Sequence, residues 1–353
     1  MTAVVTSQPR QRDYSLAGDS TREAVESGLV GSDWYRSPIS SDTLKALAQR
    51  TDGPAIRDTI IWLGALAVSG TGGVLTWGTW WCVPFFVVYG VLYGSGGDSR
   101  WHECGHSTAF RTKWMNDAVY QIGSFMVMRS PVAWRWSHVR HHADTLIVGR
   151  DPEIALMRPP RFWRQVSNLL GLYDSWGAMR AMVRHAAGRL SVDEASYVPA
   201  ARRPRVHTTA RIWVLIYAAT IASAIATTSI LPLMLIGLPR LYGQWHIQLT
   251  GFLQHGALAD NVLDHRLNTR TVYMNPLSRF VYWNMNYHAE HHMFPMVPYH
   301  RLPALHALLK DDFPPPCPSI WAGYREMLPV VWRQRRQPDV YLRLDVPAPT
   351  QTS

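Results

Sequence analysis

The chain has 353 residues, three cysteines and a formal net charge of +10. Three cysteines make no disulfide framework, and no recognised nucleic-acid motif accompanies the positive charge, which sets nucleic-acid binding aside in favour of anionic lipid or an acidic partner protein. A mean hydropathy of -0.11 excludes a bundle made only of membrane helices, so a membrane part must carry a large polar cap.

Residues 1–57 are polar and nearly charge-balanced. They read as a partly disordered lead-in with a short helix around 42–50 and no secretory leader. From Thr59 to Gly97 there is no charged residue. One membrane span needs about 20 apolar residues, so this run predicts two spans, at about 59–77 and 79–97, joined by a tight turn. Trp77, Trp80 and Trp81 sit where an interfacial belt belongs. Residues 98–210 form the first part of a cap, rich in arginine (Arg100, Arg111, Arg129, Arg135, Arg140, Arg150, Arg161, Arg164). Ile212 to Pro239 is again uncharged, and predicts spans at 212–229 and 231–250 with a turn near 229–232. Arg240 falls inside the last of these, where a charge is costly. It could snorkel, face the bundle interior or mark the helix exit. Residues 256–333 complete the cap, and 334–353 read as a loose polar tail. The expected fold is an all-α integral membrane protein of four spans in two hairpins, with a helical cap, over residues 58–333. By the positive-inside rule the cap and both termini are cytosolic.

Fifteen histidines are the unusual feature. Eight fall in three clusters: His102 and His106 in HECGH, His138, His141 and His142 in HVRHH, and His288, His291 and His292 in HAEHH. Spacings of three and four place imidazoles on one helix face. An even number of predicted crossings separates the clusters, so all three share one membrane face. Imidazole suits Fe, Zn and Cu, and eight imidazoles exceed what one ion can use, so two ions are expected. A ninth ligand is expected from the end of the fourth span, with His255 the candidate and His246 the deeper alternative. His185, His207, His265, His300 and His306 are read as other than ligands. Ligating imidazoles donate their second N–H to a carboxylate or carbonyl. Glu103, Asp144, Asp151, Asp260, Asp264 and Glu290 are near enough in sequence, although Asp151 and Asp264 also read as plain turn residues.

Two other metal readings compete. HECGH matches the HExxH helix of zinc proteases, with Glu103 as general base, but that reading leaves both HxxHH clusters without a role. Glu103 and His106 also form half of a carboxylate-bridged site, and the sequence holds no second ExxH.

HECGHSTAF, WSHVRHHADT and NYHAEHHMFP, interleaved with two hydrophobic hairpins, resemble the membrane fatty acid desaturase superfamily over roughly residues 58–310, and its acyl-lipid branch in particular. The resemblance implies a four-span fold whose cytosolic cap holds two non-haem irons. By position it implies His102, His106, His138, His141, His142, His288, His291 and His292 as ligands, with His255 matching the further ligand from the last span. Some members have asparagine four residues before that histidine; here it is Gly251. The implied activity is O₂-dependent desaturation of a fatty acyl or lipid substrate, with hydroxylation of a lipid or small molecule as the alternative. The choice between them depends on substrate positioning. The chain has no cysteine cluster, no His-Pro-Gly-Gly haem signature and no GxGxxG fingerprint. Electrons are therefore expected from a separate carrier, such as ferredoxin with its reductase, docking on the arginine-rich cap. Trp134, Trp136, Tyr282 and Trp283 are candidates for contact with the substrate chain, or equally for the cap core.

Overall fold

Pro54 in the first turn, followed by a long apolar run, starts helix α1 (Gly53–Leu75). Pro204 does the same for α7 (Arg203–Ala226). These are the two helices long and apolar enough to cross a membrane among the residues 3–4 and 12–347 that the computed structural model describes. Only 33% of the apolar window of α1 and 17% of that of α7 is buried inside the protein. Ile60, Val68 and Leu75 on α1, with Leu215 and Ile225 on α7, are exposed. The core helix of a soluble protein would bury such residues. An apolar surface of this extent calls for lipid or a partner. Trp80 and Trp81 are exposed at the turn after α1, at the edge of this apolar zone.

The second predicted span, 79–97, is not a separate rod. Helix α2 (Cys82–Gly90) runs through a π turn (Val91–Ser95) directly into α3 (Gly96–Gly105), which carries HECGH. Such π turns are common at functional sites. The predicted span at 231–250 is broken into Leu231–Leu235, Pro239–Gly243 and α8 (Trp245–His255). Gly237 adopts φ 97° and Pro239 opens the second piece, so the helical ladder cannot run through. The break is tied to the π turn. Ser95 Oγ donates to the Gly243 carbonyl at 2.7 Å and accepts from Ile247 N at 3.0 Å. Arg240 faces the interior, 2% exposed, where Nε donates to Ser175 Oγ at 3.0 Å and Nη1 to the Val127 carbonyl. A Cβ on Gly243 would collide with the backbone of Gly90. Gly243→Ala is therefore expected to cost at least about 1–3 kcal/mol, the usual range for overpacking, read as a lowered thermal midpoint of the detergent-solubilised protein.

The cap is built from α4 (Lys113–Met126), α5 (Pro131–Ala143), α6 (Leu172–Ala186), α9 (His288–Met293) and the loops between them. Trp62, Trp101, Tyr120, Trp134, Trp283 and Tyr299 belong to one buried cluster joining it to the apolar helices.

The short helix expected in the lead-in is present at Ser41–Leu47, whereas residues 12–37 and the start of the tail pack onto the cap. Residues 12–57 hold helices Asp19–Glu26 and Ser41–Leu47 and strap the cap. Arg12 bridges Asp260 and Asp339 at 2.8 Å each, Trp34 stacks on His265 at 4.3 Å, and Tyr35 and Ser37 donate to Asp312. Val340, Leu342 and Leu344 are buried, and Tyr341–Leu342 pairs antiparallel with Ala3–Val4. These contacts join residues hundreds of positions apart, which local composition cannot report. The remaining parts of the lead-in (1–2, 5–11) and tail (348–353) lie outside the described residues.

Candidate metal centre

The three histidine boxes reach one place from three helices. HECGH ends α3. HVRHH occupies the last two turns of α5, which Pro131 and the Ser130 cap initiate. HAEHH forms most of α9, all of whose residues are buried. His255 is the last residue of α8. The ring nitrogens fall into two groups, each with its ligating atoms within 4.8 Å of one another: His102, His106, His138, His142 and His291, and His141, His255, His288 and His292. The groups adjoin, since His142 stacks on His292 with centroids 4.3 Å apart. His246 belongs to neither group, and neither of its ring nitrogens has a hydrogen-bond partner among the described residues.

Within each group Nε2 faces Nε2. The separations are 2.9 Å for His102–His291, 3.0 Å for His106–His138, 3.1 Å for His138–His142, and 3.0 Å for both His255–His288 and His288–His292. So many lone pairs turned on one another repel unless a cation lies between them. Two imidazoles at right angles on one ion, with bonds of about 2.1 Å, stand about 3.0 Å apart. The spacing thus fits metal coordination. Burial pushes His106 and His255 down to about 3, and the neighbouring His141 adds to the effect. They are neutral, the form that binds metal. His141 differs from the other eight. Burial works against its protonation, but the Asp151 charge and hydrogen bond overcome this and raise it.

The outward nitrogens show how the rings are held. His141 Nδ1 lies 2.9 Å from both oxygens of Asp151, which also accepts from Leu146 N and Glu153 N. His138 Nδ1 lies 2.9 Å from Glu153 Oε2. His255 Nδ1 donates to the Asn268 carbonyl at 2.9 Å. Thr145 donates to the His141 carbonyl at 2.7 Å, which leaves its oxygen free to accept from His292 Nδ1 at 3.1 Å. The Gln254 amide lies 3.1 Å from His288 Nδ1. An imidazole that binds through Nε2 carries its proton on Nδ1, so the oxygen acceptors on His141, His138, His255 and His292 set the required tautomer, which the Gln254 amide nitrogen, a donor, does not do for His288.

Of the six carboxylates expected to do this, Asp151 touches a clustered imidazole and five are directed elsewhere. Asp144 accepts from Arg150, Asp260 pairs with Arg12, and Asp264 pairs with Arg266. Glu290 accepts from His306 and Thr271 at 2.5 Å each. Glu103 is fully buried, accepting from Thr108 Oγ1 at 2.7 Å and Tyr299 N at 3.1 Å. Turned away from His102 and His106, it is not placed as the general base of a zinc protease, and that reading loses its catalytic group. Sequence reasoning missed Glu153, Thr145, Gln254 and Asn268. Glu153 had a signal: it lies two residues beyond Asp151, in the same loop after HVRHH. Of the other expected non-ligands, His185 faces Glu194 at 2.8 Å, His207 Nδ1 meets the His185 carbonyl and His265 stacks under Trp34, while His300 Nε2 has no hydrogen-bond partner among the described residues.

A cavity of about 510 Å³ opens onto the centre and is lined by His102, His138, His141, His255 and His288. Trp134 and Tyr282 line it too, and Trp134 stacks on His138 at 4.2 Å. Trp283 is instead buried against Tyr299 at 4.0 Å, and Trp136 is exposed at the surface.

Fold and site together define a helical protein with two adjoining histidine clusters suited to a pair of metal ions. A family model for fatty acid desaturase matches residues 78–324. The chain belongs to the fatty acid desaturase family. It is 26% identical over 264 residues to the Delta(5) fatty acid desaturase fat-4 of Caenorhabditis elegans, covering 65% of this chain and 57% of that protein. It is 28% identical over 101 residues to the sn-1 oleoyl-lipid 12-desaturase of Synechocystis sp., covering 29% of this chain and 28% of that protein. The matched region thus spans less than two thirds of either relative.

Proposed function

We propose that this protein is an O₂-dependent membrane oxidoreductase of the di-iron type that introduces a C=C bond into a fatty acyl or lipid substrate. The observation that carries this reading is the convergence of five and four buried or half-buried imidazoles on two adjoining points at the wall of one cavity. His102, His106, His138, His142 and His291 would hold one iron, and His141, His255, His288 and His292 the other. Bound there, the irons supply the redox chemistry that lets O₂ attack an unactivated C–H bond. The chain's own residues orient and enclose. Asp151, Glu153, Asn268 and Thr145 fix ring orientation and tautomer. Trp134 and Met285, buried beside the clusters, help exclude water from the cavity wall. Desaturation and hydroxylation differ in which atom the second oxidation step reaches, so substrate placement along this wall selects between them.

Membrane insertion follows the same reading. Helices α1 and α7 would span, and the α2 to α3 run and the broken 231–255 segment would return to the cap, giving two hairpins with the cap on the cytosolic side. Mass spectrometry of lipids from cells expressing the chain tests the activity. Loss of two hydrogens from a membrane lipid supports desaturation, gain of one oxygen supports the hydroxylase alternative, and unchanged lipids and small molecules oppose both.

Electrons would come from a separate acidic carrier such as ferredoxin with its reductase. If exposed arginines guide that carrier, raising ionic strength should slow turnover at limiting donor, because screening shortens to about 8 Å near physiological salt and further above it. Initial rates measured from low to high salt check this, and a flat profile removes charge-guided docking.

A further inference from the structure

The cavity wall is not that of a simple hydrocarbon tunnel. Asp98 lines it, in the first turn of α3, four residues before His102. That spacing places both side chains on one helix face, about one turn (roughly 6 Å) apart along the axis. The carboxylate has no hydrogen bond and no ion pair among the described residues. The two arginines whose charge acts on it bond to other groups: Arg129 pairs with Asp174 at 3.7 Å, and Arg240 donates to Ser175 at 3.0 Å and to the Val127 carbonyl, its Nη2 having no hydrogen-bond partner among the described residues. Asp174 also accepts from Gln248 at 3.1 Å and Asn168 at 3.1 Å. Burial pushes the Asp98 carboxyl above its ordinary range, with Arg129 opposing. Asp98 is thus an acceptor set in the wall of the cavity, beside the reacting centre, with no partner of its own. A saturated chain filling this space would strip water from that acceptor and give nothing back.

We propose that the substrate carries a hydrogen-bond-donating group, a hydroxyl or an ammonium, that docks on Asp98 and so sets which carbon lies beside His102. This rests on the reading of the histidine clusters as the reacting centre and narrows its substrate class. It turns the site from one that measures chain length into one that measures distance from a polar group.

The test uses the full chain, iron-loaded, in lipid nanodiscs. Equilibrium dialysis compares 1-octanol, octylammonium and 1-methoxyoctane, the last of similar size and lacking the donor, each corrected for uptake by empty nanodiscs. The wild type is expected to bind at least one donor-bearing compound about tenfold more tightly than the methyl ether, the value of a hydrogen bond to a charged group. Asp98→Leu should abolish that preference. Asp98→Asn should abolish a preference for octylammonium but keep one for octanol, which identifies the group. Equal binding of all three compounds by the wild type, or a preference that survives Asp98→Leu, overturns the proposal. Iron content is measured in the same samples. Absence of iron from the wild type would sink the metal reading, whereas two irons with no Asp98-dependent preference would sink this inference alone.

Discussion

His291→Ala is expected to lose one iron and to abolish O₂-dependent turnover. His291 is fully buried, and its Nε2 lies 2.9 Å from that of His102. The ring contributes to the five-imidazole group from α9, while the other four members come from α3 and α5. Its removal breaks the only link in that group between the C-terminal half of the cap and the rest. Structural zinc sites of four ligands bind with about 10–16 kcal/mol, so one ligand is worth roughly 3 kcal/mol, more than a hundredfold in affinity. Iron per chain, measured by elemental analysis, should fall from two towards one, and turnover should drop at least as far. A variant that keeps two irons and full activity would remove His291 from the ligand set.

Asp151→Ala is expected to produce the second largest loss without touching a ligand. The Asp151 carboxylate accepts from His141 Nδ1, Leu146 N and Glu153 N, and Glu153 in turn holds His138. Truncation leaves these buried donors without a partner, at about 1–3 kcal/mol each. It also frees both a His141 tautomer and the loop that carries Glu153. Partners of this kind are worth roughly 10–100-fold in metal affinity. Competition with a chelator measures that affinity, and the thermal midpoint of the iron-loaded protein should fall in parallel. Asp151→Asn, which keeps an acceptor for the His141 N–H, should recover part of both. Unchanged chelator competition in Asp151→Ala would mean that His141 is oriented by packing alone.

The histidines were legible because metal ligation needs fixed spacings on short helices, and HxxHH survives in one dimension. The long charge-free runs were legible because lipid tolerates little else. What escaped has a common physical character. The break at Gly237 and Pro239 depends on Ser95 of a π turn nearly 150 residues away, which accepts and donates across the gap. The polar lead-in was read as partly disordered, yet Arg12, Trp34, Tyr35 and Ser37 each meet a distant charge, ring or carboxylate. Proximity in sequence chose carboxylates such as Asp144 and Asp264, which pair with nearby arginines, whereas the contacts to His255 and His288 come from the Asn268 carbonyl on a separate short helix and from the uncharged Gln254 beside His255 on α8. Arg240, ambiguous in sequence, resolves into an interior cation held by a hydroxyl and a carbonyl.

Iron X-ray absorption on the purified protein, with elemental analysis of the same sample, bears most directly on the claim that nine imidazoles hold two irons. The expected result is two irons per chain, each with a first shell of four or five light donors at about 2.1 Å and the outer-shell scattering of imidazole rings. A single ion per chain, zinc in place of iron, or a shell dominated by carboxylate oxygen would contradict it.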